Sequence, residues 1–287
     1  MARLALSEGR YLDAGDGLRL HFQECGSGPA VIFLHGSGPG ASGQSNFESN
    51  MLEFARAGFR AIALDLFGYG QSSKPADRRY ELAFQVVALK SLVTQLGLRK
   101  VNLVGNSMGG AVALRFAMEN AERMNKLILL APGGLGKKLR YLRMPGIRAM
   151  MWTMLGPGGP SWTKLKKVFD RQVYDPSKIP DALISERLAV AKTQPRQVYS
   201  TLKVDNLLPR LGEIACPTLC FWGTDDQFCP VETAALLADG IRDCKVMLVG
   251  RCGHWVQMEH PELFNGESLR FLADEVQALP AATELVS

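Results

Sequence analysis

What most constrains this chain is a repeated alternation of short, almost wholly apolar runs with glycine-rich loops and amphipathic helical stretches. The apolar runs lie at residues 30–34, 60–64, 101–104 and 126–130, and again at 218–222 and 245–249. A run without polar alternation suits a strand covered on both faces, the usual situation in a parallel sheet. Between these runs, residues 82–96, 108–119 and 231–237 carry helical patterning, and a last helix is expected over 261–272. Alternation of this kind predicts an α/β fold with a doubly wound sheet. Two further strands, at 10–13 and 18–23, open the chain around a Gly15-Asp16-Gly17 turn.

The alternation stops after Gly133. As far as about Leu211 there is no clear buried strand, and Pro145, Gly146, Pro157, Gly158, Gly159 and Pro160 interrupt the segment. Residues 183–192 read as a helix. The expected organisation is therefore one core, residues 1–133 and 212–287, interrupted by a mostly helical insertion, 134–211, with a loose tail over 278–287. The 287 residues suit one large domain with such an insertion.

Composition excludes several classes of function. Net charge is only +5 and the basic residues are scattered, whereas a nucleic-acid-binding face clusters them among aromatics. The densest run, Lys137, Lys138, Arg140 and Arg143, reads as solvated surface. No stretch reaches the roughly 18 apolar residues of a membrane span, and the first residues carry no secretory pattern. A cytoplasmic protein is the expectation. The six cysteines, Cys25, Cys216, Cys220, Cys229, Cys244 and Cys252, show no Cys-x-x-Cys spacing. They read as structural free thiols, not metal ligands or disulfides, and no metal or organic cofactor is expected.

The strongest local signal is Gly105-Asn106-Ser107-Met108-Gly109, between an expected strand and an expected helix. A sharp turn there would hold the serine in a strained conformation, and small residues two positions away on either side would relieve the crowding. The hydroxyl would stand clear of the sheet, with the positive end of the following helix beneath it. A serine hydroxyl needs a base, and the chain has only four histidines. His21 lies in an early strand as a surface or packing residue, His35 orders the adjoining glycine loop, and His260 precedes Pro261 at a capping position. His254 follows the last expected strand, on the sheet edge that also carries Ser107, where ligands bind in parallel sheets.

An acid must orient that imidazole. Asp225 and Asp226 follow the 218–222 strand and compete for the role. The order serine, aspartate, histidine resembles that of α/β-hydrolases, whose Gly-x-x-Asp spacing selects Asp226 and leaves Asp225 to cap the loop. The fold implied is a mostly parallel sheet flanked by helices, with an inserted helical lid. Two backbone N–H groups should stabilise an oxyanion: one from Met108, the other from the loop His35-Gly36-Ser37-Gly38-Pro39-Gly40, at Ser37 or Gly38. That loop lacks the Lys-Ser/Thr ending of a phosphate loop and does not match the dinucleotide fingerprint.

The chain further resembles the meta-cleavage-product hydrolases over nearly its whole length. The resemblance rests on residues 35–41, Ser45-Asn46-Phe47, the serine elbow extended to Gly110, Pro132-Gly133-Gly134-Leu135, and Gly253-His254-Trp255. Such enzymes cleave 2-hydroxy-6-oxo-hexa-2,4-dienoates bearing an alkyl or aryl group at C6. The resemblance implies polar contacts from Asn46, Asn106 and Trp255, and an arginine, Arg187, gripping the dienoate carboxylate. It also implies a homo-oligomer. Gln44 departs from the family, whose close relatives often have Trp beside these polar contacts. Met144, Met150, Met151, Trp152, Met154 and Trp162 either line the C6-substituent pocket or form the core of the insertion.

The implied reaction protonates C5 as the dienol becomes a ketone; Ser107 attacks C6, the C5–C6 bond breaks, and water releases the acid. Two alternatives stand beside it. A carboxylesterase or lactonase would use the same triad but has no need of Arg187 and Asn46. A binding protein on this fold would usually lack a triad member.

Overall fold

The computed structural model describes residues 5–277, so the tail expected over 278–287 lies outside the described residues. Eight strands form one sheet. They are β1 Arg10–Asp13, β2 Arg19–Cys25, β3 Ala30–Leu34, β4 Arg60–Leu64, β5 Val101–Asn106, β6 Met124–Leu130, β7 Thr218–Gly223 and β8 Cys244–Val249, in spatial order β1-β2-β4-β3-β5-β6-β7-β8. β1 and β2 pair antiparallel, as do β2 and β4, while every pairing from β4 through β3 to β8 is parallel. The residues of β3, β5 and β7 are all buried, which is why these strands read as continuous apolar runs.

Side-chain alternation splits the core in two. Val31, Phe33, Leu219 and Phe221 join one apolar cluster; Ile32, Leu34, Cys220 and Trp222 join another on the opposite face. Helices α1 Gly43–Arg56, α2 Leu82–Gln95 and α3 Met108–Glu119 precede β6. Between β6 and β7 lie α4 Lys138–Leu142, α5 Pro145–Leu155, α6 Trp162–Phe169, α7 Asp181–Lys192 and α8 Gln197–Ser200. They carry a third cluster, Leu165, Phe169, Val173, Ile179 and Ile184, closed by Trp255 from the sheet edge. α9 Ala234–Gly240, α10 Val256–Glu259 and α11 Pro261–Gln277 complete the chain.

The differences from the sequence reading have local causes. β5 runs further than expected, buried as far as Asn106, and β6 begins earlier, at Met124, which pairs with Val101 of β5. The expected 231–237 helix begins as a 3-10 turn, Val231–Thr233, before α9. α1 was not anticipated, since its first half is polar. Ser42 caps it through a reciprocal bond with Ser45, and Phe47, Met51 and Phe54 bury one side. His21 is deeply buried, not at the surface, and its Nδ1 donates to Asp65 at 2.7 Å.

Asp65 follows β4 and ties the sheet to its loops. It accepts from His21, from the Gly43 N–H at 2.7 Å and from the Gln71 N–H at 2.8 Å. Burial alone would raise its pKa, but the His21 hydrogen bond, helped by the nearby His35 and the Gln71 N–H, outweighs it and the net shift is downward. Asp65→Ala should therefore cost about 3–5 kcal/mol, by orphaning buried donors, and lower Tm on the order of 10 °C. A depressed carboxylate stabilises the fold above its ordinary pKa near 4. That contribution goes only as acid protonates the folded state, so the gap between wild type and variant should be full at pH 7 and close under strong acid. Thermal melts across pH test this; an unchanged Tm at pH 7 would sink it.

Candidate active site

The centre of the site is the turn between β5 and α3. Ser107 has φ 56° and ψ −118°, a left-handed conformation that a non-glycine residue adopts at a cost of about 1–3 kcal/mol. The surroundings hold it there: the Ser107 N–H donates to Leu130 O at 2.9 Å, and Ser107 O accepts from Gly133 N at 2.9 Å. Gly109 is a glycine for a steric reason, since a Cβ on it would lie 2.1 Å from Leu34 O. The α3 N-terminus thus packs against the end of β3, with the Met108 N–H in the first turn, free of any intrahelical acceptor.

His254 reaches the same edge from the loop after β8. Its N–H donates to Gln172 O at 2.7 Å, and its ring stacks on Phe228 with centroids 5.0 Å apart. The Nδ1–H donates to Asp226 Oδ2 at 2.7 Å, while Asp226 Oδ1 accepts from the N–H groups of Phe228 and Cys229 at 2.7 and 2.9 Å. A carboxylate held on both oxygens can fix the imidazole with Nε2 facing away from it. Asp225 is exposed and bonds Thr224, as a loop residue. His35 is neutral and structural: burial pushes it down to about 4, its Nδ1–H donates to Gly36 O, and its Nε2 accepts from Leu66 N. It thereby clamps the loop that carries Ser37 and Gly38.

Ser107, His254, Ser37, Gly38, Asn46, Asn106, Arg187 and Trp255 all border one cavity. These are the residues expected at the site, apart from Asp226, which stands behind His254, and Met108, which borders an adjoining chamber. The first cavity carries most of the polar side chains, together with Ile147, Met150 and Phe228, and holds only about 10 Å³ of free space. The adjoining chamber holds about 240 Å³ and is walled by Tyr141, Leu142, Met151, Leu202 and Val204, among others. Ser37, Ser107, Ile147 and Met150 border both, so the serine stands where a polar and an apolar compartment meet.

Arg187 is 1% exposed, and among the described residues it has no carboxylate partner. Its Nη2 donates to Asn46 Oδ1 and, at 3.4 Å, to Ser45 O; its Nε has no partner, and its guanidinium lies over the Trp255 ring, 5.3 Å from the centroid. Burial lowers its pKa to about 10. The loop of Gly36 to Gly40 makes room for it: a Cβ on Gly40 would sit 1.9 Å from Arg187 O. Such a cation is matched to an anion that arrives from outside.

Some expected roles fail. Trp152 and Trp162, 61% and 37% exposed, border neither compartment and lie outside the core, and Met144 borders neither compartment; Met150 and Met151 border the apolar chamber, while Met154 packs in the core. Gln44 turns its amide toward Glu48 at 3.2 Å and does not border the cavity. All six thiols are free, as expected. Among the site residues not foreseen, two carry polar or thiol groups. Gln172, in an irregular stretch after α6, borders the polar cavity, and nothing in local sequence singles it out. Cys229 borders the apolar chamber that Ser107 also borders, while burial holds its thiol well above the ordinary range. Its place three residues after Asp226 was the available signal.

Among the described residues no three His, Cys, Asp or Glu side chains converge as a metal site would require, and no helix is long and apolar enough to cross a membrane. Residues 31–267 match the alpha/beta hydrolase family. Over 265 residues the chain is 39% identical to the 2-hydroxy-6-oxo-6-phenylhexa-2,4-dienoate hydrolase of Burkholderia cepacia, spanning 89% of this chain and 92% of that one. It is 38% identical, with the same coverage, to the 2-hydroxy-6-oxononadienedioate/2-hydroxy-6-oxononatrienedioate hydrolase of Comamonas testosteroni. The solved structure of a 2-hydroxy-6-oxo-6-phenylhexa-2,4-dienoate hydrolase from a Rhodococcus strain superposes with a TM-score of 0.83 at 26% identity, covering 94% of this chain and all of that one (100%).

Proposed function

This chain belongs to the α/β-hydrolase family, among its 2-hydroxy-6-oxodienoate hydrolases, and from that membership we propose that it hydrolyses the C5–C6 bond of 2-hydroxy-6-oxo-hexa-2,4-dienoates substituted at C6. One observation carries the reading: a polar compartment with an unpaired buried arginine and a larger apolar one meet at Ser107. That is the shape of a substrate with an anionic hydroxy-acid at one end and a ketone bearing an apolar group at the other. A cavity of about 150 Å³ holds benzene, so the 240 Å³ chamber takes a phenyl group with room to spare.

In this reading the polar compartment binds the dienoate through Arg187, Asn46, Asn106 and Trp255. The 2-hydroxyl proton leaves as the dienol becomes a ketone, and a proton is added at C5. The C5 carbon can then depart as a stabilised carbanion equivalent. His254 takes the Ser107 proton as the hydroxyl attacks the C6 carbonyl, and Asp226 holds the resulting imidazolium. The N–H of Met108 and one from Ser37 or Gly38 stabilise the oxyanion. Collapse breaks C5–C6, the imidazolium gives its proton to the departing dienolate, and 2-hydroxypenta-2,4-dienoate is released, leaving an acyl group on Ser107. Water, deprotonated by His254, frees the carboxylic acid.

Free space of about 10 Å³ is room for about one water. A dienoate can occupy the polar compartment only if α5 and α7, which carry Ile147, Met150 and Arg187, draw back. We therefore assign residues 134–211 the part of a lid. The buried free thiols fit a reducing cytoplasmic setting, and the homo-oligomer implied by the family belongs to the same proposal.

The test is to mix the purified protein with 2-hydroxy-6-oxo-6-phenylhexa-2,4-dienoate. The yellow absorbance should disappear as benzoate forms in equal amount. Unbleached 6-phenyl and 6-methyl substrates, with p-nitrophenyl esters still cleaved, would replace this reading by that of an esterase.

A further inference from the structure

Gln172 is 3% exposed, and its Oε1 has no hydrogen-bond partner. Leaving a buried acceptor unpaired costs about 1–3 kcal/mol, so an orphan of this kind on the wall of a cavity points to a ligand. The side chain borders the polar compartment, and its backbone is anchored, since Gln172 O accepts the His254 N–H and Gln172 N donates to Phe169 O at 2.9 Å. Its amide lies against the glycine loop. A Cβ on Gly38 would lie 3.5 Å from Gln172 Nε2 and 3.8 Å from Arg187 Nη1. The amide and the guanidinium therefore face the same point on the loop, at the end of the compartment where a carboxylate would dock.

Of the other amide and guanidinium groups there, none offers a free acceptor beside that carboxylate. Arg187 offers donors only. Asn46 Oδ1 is already taken by Arg187. Asn106 Oδ1 is free, but Asn106 adjoins Ser107, where the reacting carbonyl sits, not the carboxylate. A 2-hydroxy acid carries one O–H next to its carboxylate; the Gln172 amide stands near Arg187 with Nε2 toward Gly38, and a half-turn of the amide brings the unpartnered Oε1 to that point.

We propose that Gln172 is a specificity-determining residue that accepts a hydrogen bond from the 2-hydroxyl of the dienoate, so that the site selects 2-hydroxy acids over the analogue lacking that hydroxyl. This rests on the dienoate reading of the site. Apolar replacement of the amide removes the acceptor while leaving the carboxylate grip of Arg187 in place.

The experiment separates the two readings. In a Ser107→Ala background, dissociation constants are measured for 2-hydroxy-6-oxo-6-phenylhexa-2,4-dienoate and for 6-oxo-6-phenylhexa-2,4-dienoate, with and without Gln172→Met. Ser107→Ala alone should prefer the hydroxy compound by about tenfold or more, and Gln172→Met should reduce that preference to near unity, mainly by weakening the hydroxy compound. A merely structural role would weaken both compounds equally and leave the ratio intact, which would overturn the proposal. Gln172→Leu serves if the methionine variant does not fold, and the same ratio is read. Wild-type enzyme that bleaches neither the 6-phenyl nor the 6-methyl dienoate refutes the dienoate reading itself; bleaching together with an unchanged ratio refutes only the role of Gln172.

Discussion

Ser107→Ala is expected to lower kcat on the 6-phenyl dienoate by about 10⁴- to 10⁶-fold, the scale on which losing a serine nucleophile acts, while the substrate still binds. The geometry leaves no substitute. The Cys229 thiol borders the same chamber, but burial keeps it protonated, well above the ordinary range. The strained φ of 56° at this position serves to present a side chain, and alanine there would keep the Met108 N–H in place. Binding should survive because the groups assigned to hold the dienoate belong to Asn46, Arg187 and Trp255. The check is single-turnover kinetics, with bound substrate followed by its visible spectrum. If the variant keeps a hundredth of wild-type kcat or more, the acyl-enzyme route is wrong, and water activated directly by His254 must attack C6 instead.

The site was legible in sequence where chemistry and local geometry coincide. Gly105-x-Ser107-x-Gly109 announces a turn because backbone approaches such as Gly109 to Leu34 O leave no room for a side chain. Asp226 and His254 follow strands, and parallel strands end on one edge, so their meeting at 2.7 Å was foreseeable. The strands were legible because β3, β5 and β7 are buried on both faces. α1 was hidden by its polar first half, which periodicity does not recognise, although Ser42 and the spacing of Phe47, Met51 and Phe54 carried the signal. The buried pair of His21 and Asp65 joins residues 44 positions apart, which no local pattern reports. Gln172 was invisible for a similar reason: its importance lies in facing Arg187 across Gly38, from a stretch with no regular structure. Trp152 was misread because large apolar residues are usually buried, whereas this one lies exposed on α5.

Arg187→Met should raise stability and cost activity at once, and the opposite signs are what make it informative. A guanidinium whose pKa is lowered to about 10 on folding, by burial, is penalised in its charged form. The gap corresponds to about 3 kcal/mol. Because the shift is downward, the penalty is in force at every pH below about 10 and is undiminished at neutrality. Methionine removes it and fills much of the space between Phe169 and Trp255. Against this, Asn46 Oδ1 loses its donor, an offset of about 1–2 kcal/mol. The balance favours the variant by about 1–2 kcal/mol, a rise of a few degrees in Tm. Loss of a paired, charge-assisted grip on the substrate carboxylate should meanwhile reduce kcat/KM by about 10²- to 10³-fold, mainly through KM. Melting curves and steady-state kinetics on the same preparation decide the matter. A lowered Tm would mean that the bond to Asn46 and the stacking on Trp255 outweigh the buried charge, making Arg187 a structural residue of the lid. A raised Tm with intact KM would mean that the charge is a burden serving some end other than the dienoate. Only the combination of a more stable protein and a weakened KM fits an arginine held in reserve for a carboxylate.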